Sequence, residues 1–158
     1  MKKLEDFHVI ENNSLLFRPI NAEDAPFLFS YFSDLRAMEF YGMAPFKEKK
    51  EASLLIEKFA EGFQKGITLR WGICLKDTGQ IVGTIGFHLL NHQHHRCEIG
   101  YDLHPDYWGQ GIGSKAVQTI TKYGFKELEL YRIGAIVHPD NKRSQGVLLK
   151  TVSKKKGI

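Results

Sequence analysis

Cysteine is scarce in this 158-residue chain. Cys74 and Cys97 are the only two, and both fall inside expected strands. They supply no disulfide framework, and each is expected to be a buried free thiol. Long apolar runs are also missing, and no stretch approaches transmembrane length. Met1-Lys2-Lys3 leads into Leu4-Glu5-Asp6 rather than an apolar segment, so no secretory signal is expected and a cytoplasmic protein follows. There is no internal repeat, linker or low-complexity tract, which predicts one domain over 1–158. His88, His92, His94, His95 and Cys97 cluster in sequence but lack the paired spacing of structural zinc sites. A solvated turn and no metal are expected there. The net charge of +4 is a local effect. Lys154, Lys155 and Lys156 are three of 22 basic residues, and without them 19 stand against 18 acidic ones. A nucleic-acid-binding face should instead be spread over structured surface.

What remains is a chain able to bury a core, with 42% hydrophobic residues. Leu15-Leu16-Phe17 reads as a strand closing at Arg18-Pro19. Asn21 is a helix N-cap with Glu23 and Asp24 in the first turn. Phe27, Leu28, Tyr31, Phe32 and Leu35 recur at helical spacing and read as core. A second helix is expected from Glu48 to Gln64, with Leu54, Leu55, Phe59 and Phe63 on one side and Gly66 ending it. Strands follow at Thr68–Leu75, Ile81–Leu90 and Cys97–Leu103, the first two joined by a tight turn at Asp77-Thr78-Gly79. A helix from Ile112 to about Lys126 has Ile112, Ala116, Ile120 and Tyr123 along one face. Tyr131–Val137 reads as a buried strand, with a last helix from about Asn141. Helices, then a meander, then strand–helix–strand–helix predict a mixed α/β layer with a central sheet.

The most informative segment is Tyr101–Val117, YDLHPDYWGQGIGSKAV. A strand runs through a Pro-marked turn into a glycine-alternating loop, then a helix. Gly109, Gly111 and Gly113 let the backbone approach a ligand, and the helix start adds unpaired amides and a positive dipole end. This predicts a pyrophosphate cradle. It is not a P-loop, because Lys115 follows Ser114 in the wrong order. A dinucleotide fingerprint would need glycine at Ser114 and a strand directly before its first glycine; Glu129, about 20 residues on, is its one supporting feature.

The segment resembles the acetyl-CoA-binding motif of the GNAT N-acetyltransferases, with Trp108 to Gly113 aligned to Q/R-x-x-G-x-G/A. Trp108 in place of Arg or Gln is similar to the RimJ/RimL-type branch, which acetylates protein N-terminal amines. The stretch Asn141 to Leu148 resembles that branch's N-x-x-S-x-x-V-L helix opening, and the similarity runs from Leu16 through Lys150. The resemblance implies a GNAT fold, a central mostly antiparallel sheet flanked by helices, with acetyl-CoA as cosubstrate. It implies that the backbone of Leu103 and His104 pairs with the pantetheine arm. The amides of Gln110, Gly111, Ile112, Gly113 and Ser114 would face the pyrophosphate. Asn141 is either the helix N-cap or a partner of the arm, or both. Glu98, on the strand leading to the cradle, is the candidate general base; its structural alternative is a surface charge paired with Arg96. Ser144 is the candidate proton donor to the thiolate, or a hydroxyl satisfying first-turn amides. The tyrosine that many members carry seven residues after the Asn is here Leu148. Tyr107 and Trp108 either pack against the coenzyme or fill the base of the loop, and packing is expected. Phe40, Tyr41 and Met43 either line the acceptor cleft or fill the core.

After Lys150 the chain departs from the family pattern. Thr151 to Ile158, TVSKKKGI, is compatible with a one-base shift of a coding run for K-N-G-F-K-K-E-G. A frameshifted or truncated member is expected, with 151–158 an aberrant tail and the last two strands absent. An exposed sheet edge would then invite homo-oligomers. The expected partners are acetyl-CoA and an amine acceptor, either a protein N-terminus or a small amine such as a polyamine or an antibiotic. The rival class is a non-catalytic acyl-CoA-binding or assembly module.

Overall fold

The structure is a computed structural model, and its described residues are 7–39 and 44–135. Among these residues six strands form one sheet in chain order, β1 (Ile10–Glu11), β2 (Leu15–Pro19), β3 (Leu69–Leu75), β4 (Ile81–Asn91), β5 (Arg96–Leu103) and β6 (Arg132–Gly134). Every neighbouring pair is antiparallel except β5 and β6, which run parallel. The helices are α1 (Ala25–Ser33), α2 (Leu35–Met38), α3 (Lys49–Gln64) and α4 (Ile112–Lys126), the last carrying the chain from β5 across to β6. A parallel neighbour needs such a crossover, whereas the meander β3–β4–β5 needs only tight turns.

Side chains alternate across a strand, and the register turns that alternation into two unlike faces. On one face the rows Trp71–Ile85–Tyr101 and Leu69–Phe87–Ile99 lie side by side across β3, β4 and β5. They pack against Ile112, Ala116, Val117 and Ile120 of α4, all buried. Gly124 lets α4 sit tightly here, because a Cβ there would stand 2.7 Å from Phe87 Cζ. The opposite face faces α1 and α3. Leu28, Tyr31 and Phe32 of α1 form a second buried cluster with Met38, Phe46 and Ala52. Arg18 ties β2 to the entry of α1 through a two-pronged pair with Asp24, at 2.8 and 2.9 Å.

Several expectations are corrected in detail. The first helix does not run on to Leu35. The chain breaks at Asp34, whose side chain accepts the Arg36 N–H at 2.8 Å and starts α2, leaving Leu35 76% exposed. Asn21 caps a short 3-10 turn, Ala22–Asp24, that precedes α1. On α3, Leu54 is exposed, and Ala52 and Gly62 are buried instead. Tyr131 lies outside β6, exposed and stacked on His95 at 4.3 Å. Both thiols are buried, and burial pushes Cys97 up to about 12. Asn141, Ser144, Leu148, Phe40, Tyr41, Met43 and the 151–158 tail lie outside the described residues.

Candidate active site

The site is built where β5 and β6 part. Their pairing runs Arg96–Arg132, Cys97–Ile133, Glu98–Gly134, and β6 ends there. β5 continues five residues further, to Leu103, held on its other edge by β4. Along 99–103 the described part of β6 supplies β5 with no further partner. Leu103 stands opposite Gly83, and the neighbouring His104 N–H donates to the Val82 carbonyl at 2.9 Å. In that pattern the Leu103 main-chain groups point away from β4. Its carbonyl accepts the Trp108 indole N–H at 2.7 Å. His104 is otherwise engaged: its N–H goes to β4, and its carbonyl accepts the Tyr107 N–H at 2.9 Å. Both main-chain groups of His104 are thus spent within the protein, whereas Leu103 spends its carbonyl on the Trp108 indole and keeps its N–H turned away from β4.

Past the turn at Pro105–Tyr107 the chain enters the glycine loop. Gly109 and Gly111 hold φ of +78° and +79°, the left-handed region, with nothing within 4 Å of where a Cβ would sit. Glycine is required here for its backbone and not for lack of space. Gly111 is the N-cap of α4 and supplies no side-chain cap. The first-turn amides of Ile112, Gly113 and Ser114 therefore have no intrahelical acceptor. The first such bond runs from Lys115 N–H to the Gly111 carbonyl, at 3.2 Å. Open amides, a positive helix end and two left-handed glycines fit a pyrophosphate. Tyr107 and Trp108 pack partly buried against the core beneath the loop; the indole bond to Leu103 was not foreseen.

The face toward α1 and α3 holds groups that the sequence reading missed. Alternate residues of three strands fall into the rows Gly72–Thr84–Asp102 and Arg70–Gly86–Gly100, followed by the pair His88–Glu98. Arg70 lies across this glycine floor, where a Cβ at Gly100 would stand 3.2 Å from its Nη1. Arg70 donates to Asp102 Oδ2 at 2.7 Å and to Thr84 Oγ1 at 2.9 and 3.1 Å, under the Phe59 ring at 5.7 Å. The Tyr31 hydroxyl donates to Asp102 Oδ1 at 3.2 Å. The Arg70 and Asp102 side chains are only 10% and 6% exposed, so this is a buried, fully bonded ion pair. The detectable signal was the polar and glycine half of the same alternation that gave Trp71 and Ile73 as core.

Glu98 is half-buried, and its partner is His88 rather than Arg96, with His88 Nε2 3.2 Å from Glu98 Oε1. An ionised carboxylate only accepts, so Nε2 carries the proton. Glu98 lines a cleft of about 770 Å³ together with Ile67, Leu89, Arg96, Arg132 and Gly134. His88 lines an adjoining groove of about 410 Å³ with Phe59 and Arg70. A bulge follows His88, where Leu89 adopts φ +53° and is 65% exposed. Bulges re-aim side chains next to active sites. Among the described residues, no group of three or more His, Cys, Asp or Glu could hold a metal. No described helix is long and apolar enough to cross a membrane.

β5 running into a glycine loop and an open helix start suits a ligand that carries a pyrophosphate. Residues 14–151 match the acetyltransferase (GNAT) domain, and the chain belongs to that family of N-acetyltransferases. It is 38% identical over 152 residues to the N-acetyltransferase YoaA of Bacillus subtilis, covering 96% of this chain and 86% of that protein. A GNAT-family acetyltransferase from Bacillus anthracis superposes with a TM-score of 0.80 at 29% identity, over 90% of this chain and 81% of that one. RimJ of Mycobacterium smegmatis, solved with CoA-disulfide, has a TM-score of 0.77 at 23% identity, covering 85% of this chain and 68% of that one. That last likeness shows the shared fold alone.

Proposed function

We propose that this N-acetyltransferase moves an acetyl group from acetyl-CoA to the α-amine of a protein N-terminus, of ribosomal-protein type, by direct attack within a ternary complex in the cytoplasm. The observation that carries the reading is the place of Glu98. It is the last residue of β5 paired with β6 among the described residues, and it lies on the strand that leads to the glycine loop. The five residues to Leu103 span about 17 Å of extended strand, along which a pantetheine arm would lie. Leu103 would pair with that arm. The amides of Gln110, Gly111, Ile112, Gly113 and Ser114 would hold the pyrophosphate, and Asn141 would hydrogen-bond the arm. Acetyl-CoA supplies the activated acyl group. Glu98 would take the proton from the incoming ammonium, directly or through one water, and the neutral amine would attack the thioester carbon. The C–S bond then breaks; Ser144 would protonate the leaving thiolate and take in its place the second proton that the acetylated nitrogen loses.

The half-exposed Glu98 suits an α-amine. Such an amine has a pKa of roughly 8 against about 10.4 for lysine. Freeing lysine's proton costs about 3 kcal/mol more at a given pH. The test is thiol release from acetyl-CoA with three acceptors: a peptide with a free N-terminus, the same peptide blocked there but carrying lysine, and spermidine. The free N-terminus is expected to be fastest. E98Q should lower kcat by about 10²- to 10⁴-fold with acetyl-CoA affinity kept. Release with spermidine alone would move the acceptor to polyamines. Coenzyme binding without release to any amine would make the chain a non-catalytic acyl-CoA module.

A further inference from the structure

Two arginines stand side by side at the outer end of the acceptor cleft. Arg96 on β5 and Arg132 on β6 are direct register partners, so their side chains leave the same face of the sheet, and both are exposed. No ion pair among the described residues neutralises either. Like charges directly opposite each other cost stability in a sheet. Both line the same cleft as Glu98. Glu98 follows Arg96 by two residues, on the same face and about 7 Å along the strand. Order along β5 matters: Leu103 and the cradle lie beyond Glu98 on one side, and the arginines lie on the other. An acceptor whose amine meets Glu98 therefore trails its body over the guanidiniums, away from the coenzyme.

Resting on the N-terminal reading above, we propose that the acceptor is an acidic N-terminus: a free α-amine followed, at its second or third residue, by a carboxylate side chain held by Arg96 and Arg132. An extended chain advances about 3.3 Å per residue, so 7 Å places the acidic group at those positions. Guanidinium groups match carboxylates as two-pronged donors. Ile67 and Leu89, 44% and 65% exposed on the cleft wall, contact the acceptor's apolar stem. The same arrangement disfavours a polycation, which would meet one carboxylate and two positive charges. The charge pattern thus selects among amines that Glu98 alone would treat alike.

The test is binding, so that it stands apart from turnover. Two fluorescent peptides, identical except for Asp-Glu or Asn-Gln at residues two and three, are titrated by anisotropy into the protein saturated with CoA. The acidic peptide is expected to bind at least tenfold more tightly, about 1.4 kcal/mol. That ratio should shrink as salt rises from 50 to 500 mM and fall to near one in R96Q/R132Q. K76Q, which removes a positive charge from the β3 end, should leave the ratio as in the parent. Equal affinities in the parent protein, or a ratio unmoved by R96Q/R132Q, would overturn the proposal. Thiol release with the same peptides reads the N-terminal acetylation separately: preference in binding without release would fault that reading and leave the acidic selectivity standing.

Discussion

Alanine at Gly111 and alanine at Gly79 are the same perturbation at two places. Gly111 has φ +79° and Gly79 has φ +76°, and neither has any atom within 4 Å of the added Cβ. Crowding therefore contributes nothing at either site, and the cost is that of an L residue in the left-handed region, about 1–2 kcal/mol. At about 2–4 °C per kcal/mol for a chain of this size, both variants should melt roughly 2–8 °C below the parent and within error of each other. Their coenzyme affinities should separate. Gly79 turns a remote hairpin between β3 and β4, whereas Gly111 caps α4 and aims the first-turn amides. If alanine relaxes φ there, those amides no longer converge. Calorimetric titration of acetyl-CoA should then show at least a tenfold loss for G111A and none for G79A. Equal affinity in the two variants, with equal melting shifts, would refute the cradle as the pyrophosphate site.

The remaining predictions concern stability and pH. D102A leaves the Arg70 guanidinium buried without its carboxylate and should cost about 3–5 kcal/mol by urea denaturation. The paired change R70M/D102L should recover most of it, and a loss under 1 kcal/mol in D102A would mean the ion pair is not structural. Cys97 is held neutral to about 12 by burial, against an ordinary 9.0. Below pH 9 both states carry the neutral thiol and nothing changes. Between pH 9 and 12 only the unfolded chain ionises, so stability falls as pH rises. From pH 8 to 10.5 the parent should lose roughly 2 kcal/mol more than C97V, and parallel pH curves would contradict the burial of that thiol.

The meander, α4 and the glycine loop were legible in the sequence because each has a local signature. Trp71 and Ile73 alternate, Ile112, Ala116 and Ile120 recur at helical spacing, and Gly109 and Gly111 sit where left-handed backbone is needed. The break at Asp34 was hidden because Phe27, Tyr31 and Leu35 keep helical spacing across it, while one side-chain bond to the Arg36 N–H ends the helix. The polar face was hidden for a different reason. Arg70, Thr84, Asp102 and Tyr31 are far apart in sequence and meet only through register. The apolar half of each strand carries a local pattern, whereas the polar half gains meaning only from its cross-strand neighbours. The Glu98 partner is likewise a matter of register: His88 stands directly opposite it, whereas Arg96 is two residues along the same strand. The commitment of His104's main chain follows from which edge of β5 its N–H faces, and that parity cannot be read without the pairing to Val82.

The central claim is direct transfer to an amine at Glu98, and following the acetyl group itself tests it most directly. The protein would be incubated with acetyl-CoA labelled in the acetyl group, first alone and then with a peptide bearing a free N-terminus, and both would be sequenced by mass spectrometry. The account predicts no label on the protein at either stage and label on the peptide's α-amine, strongly slowed in E98Q. Label on the protein before the peptide is added, or peptide labelling at the same rate in E98Q, would contradict it.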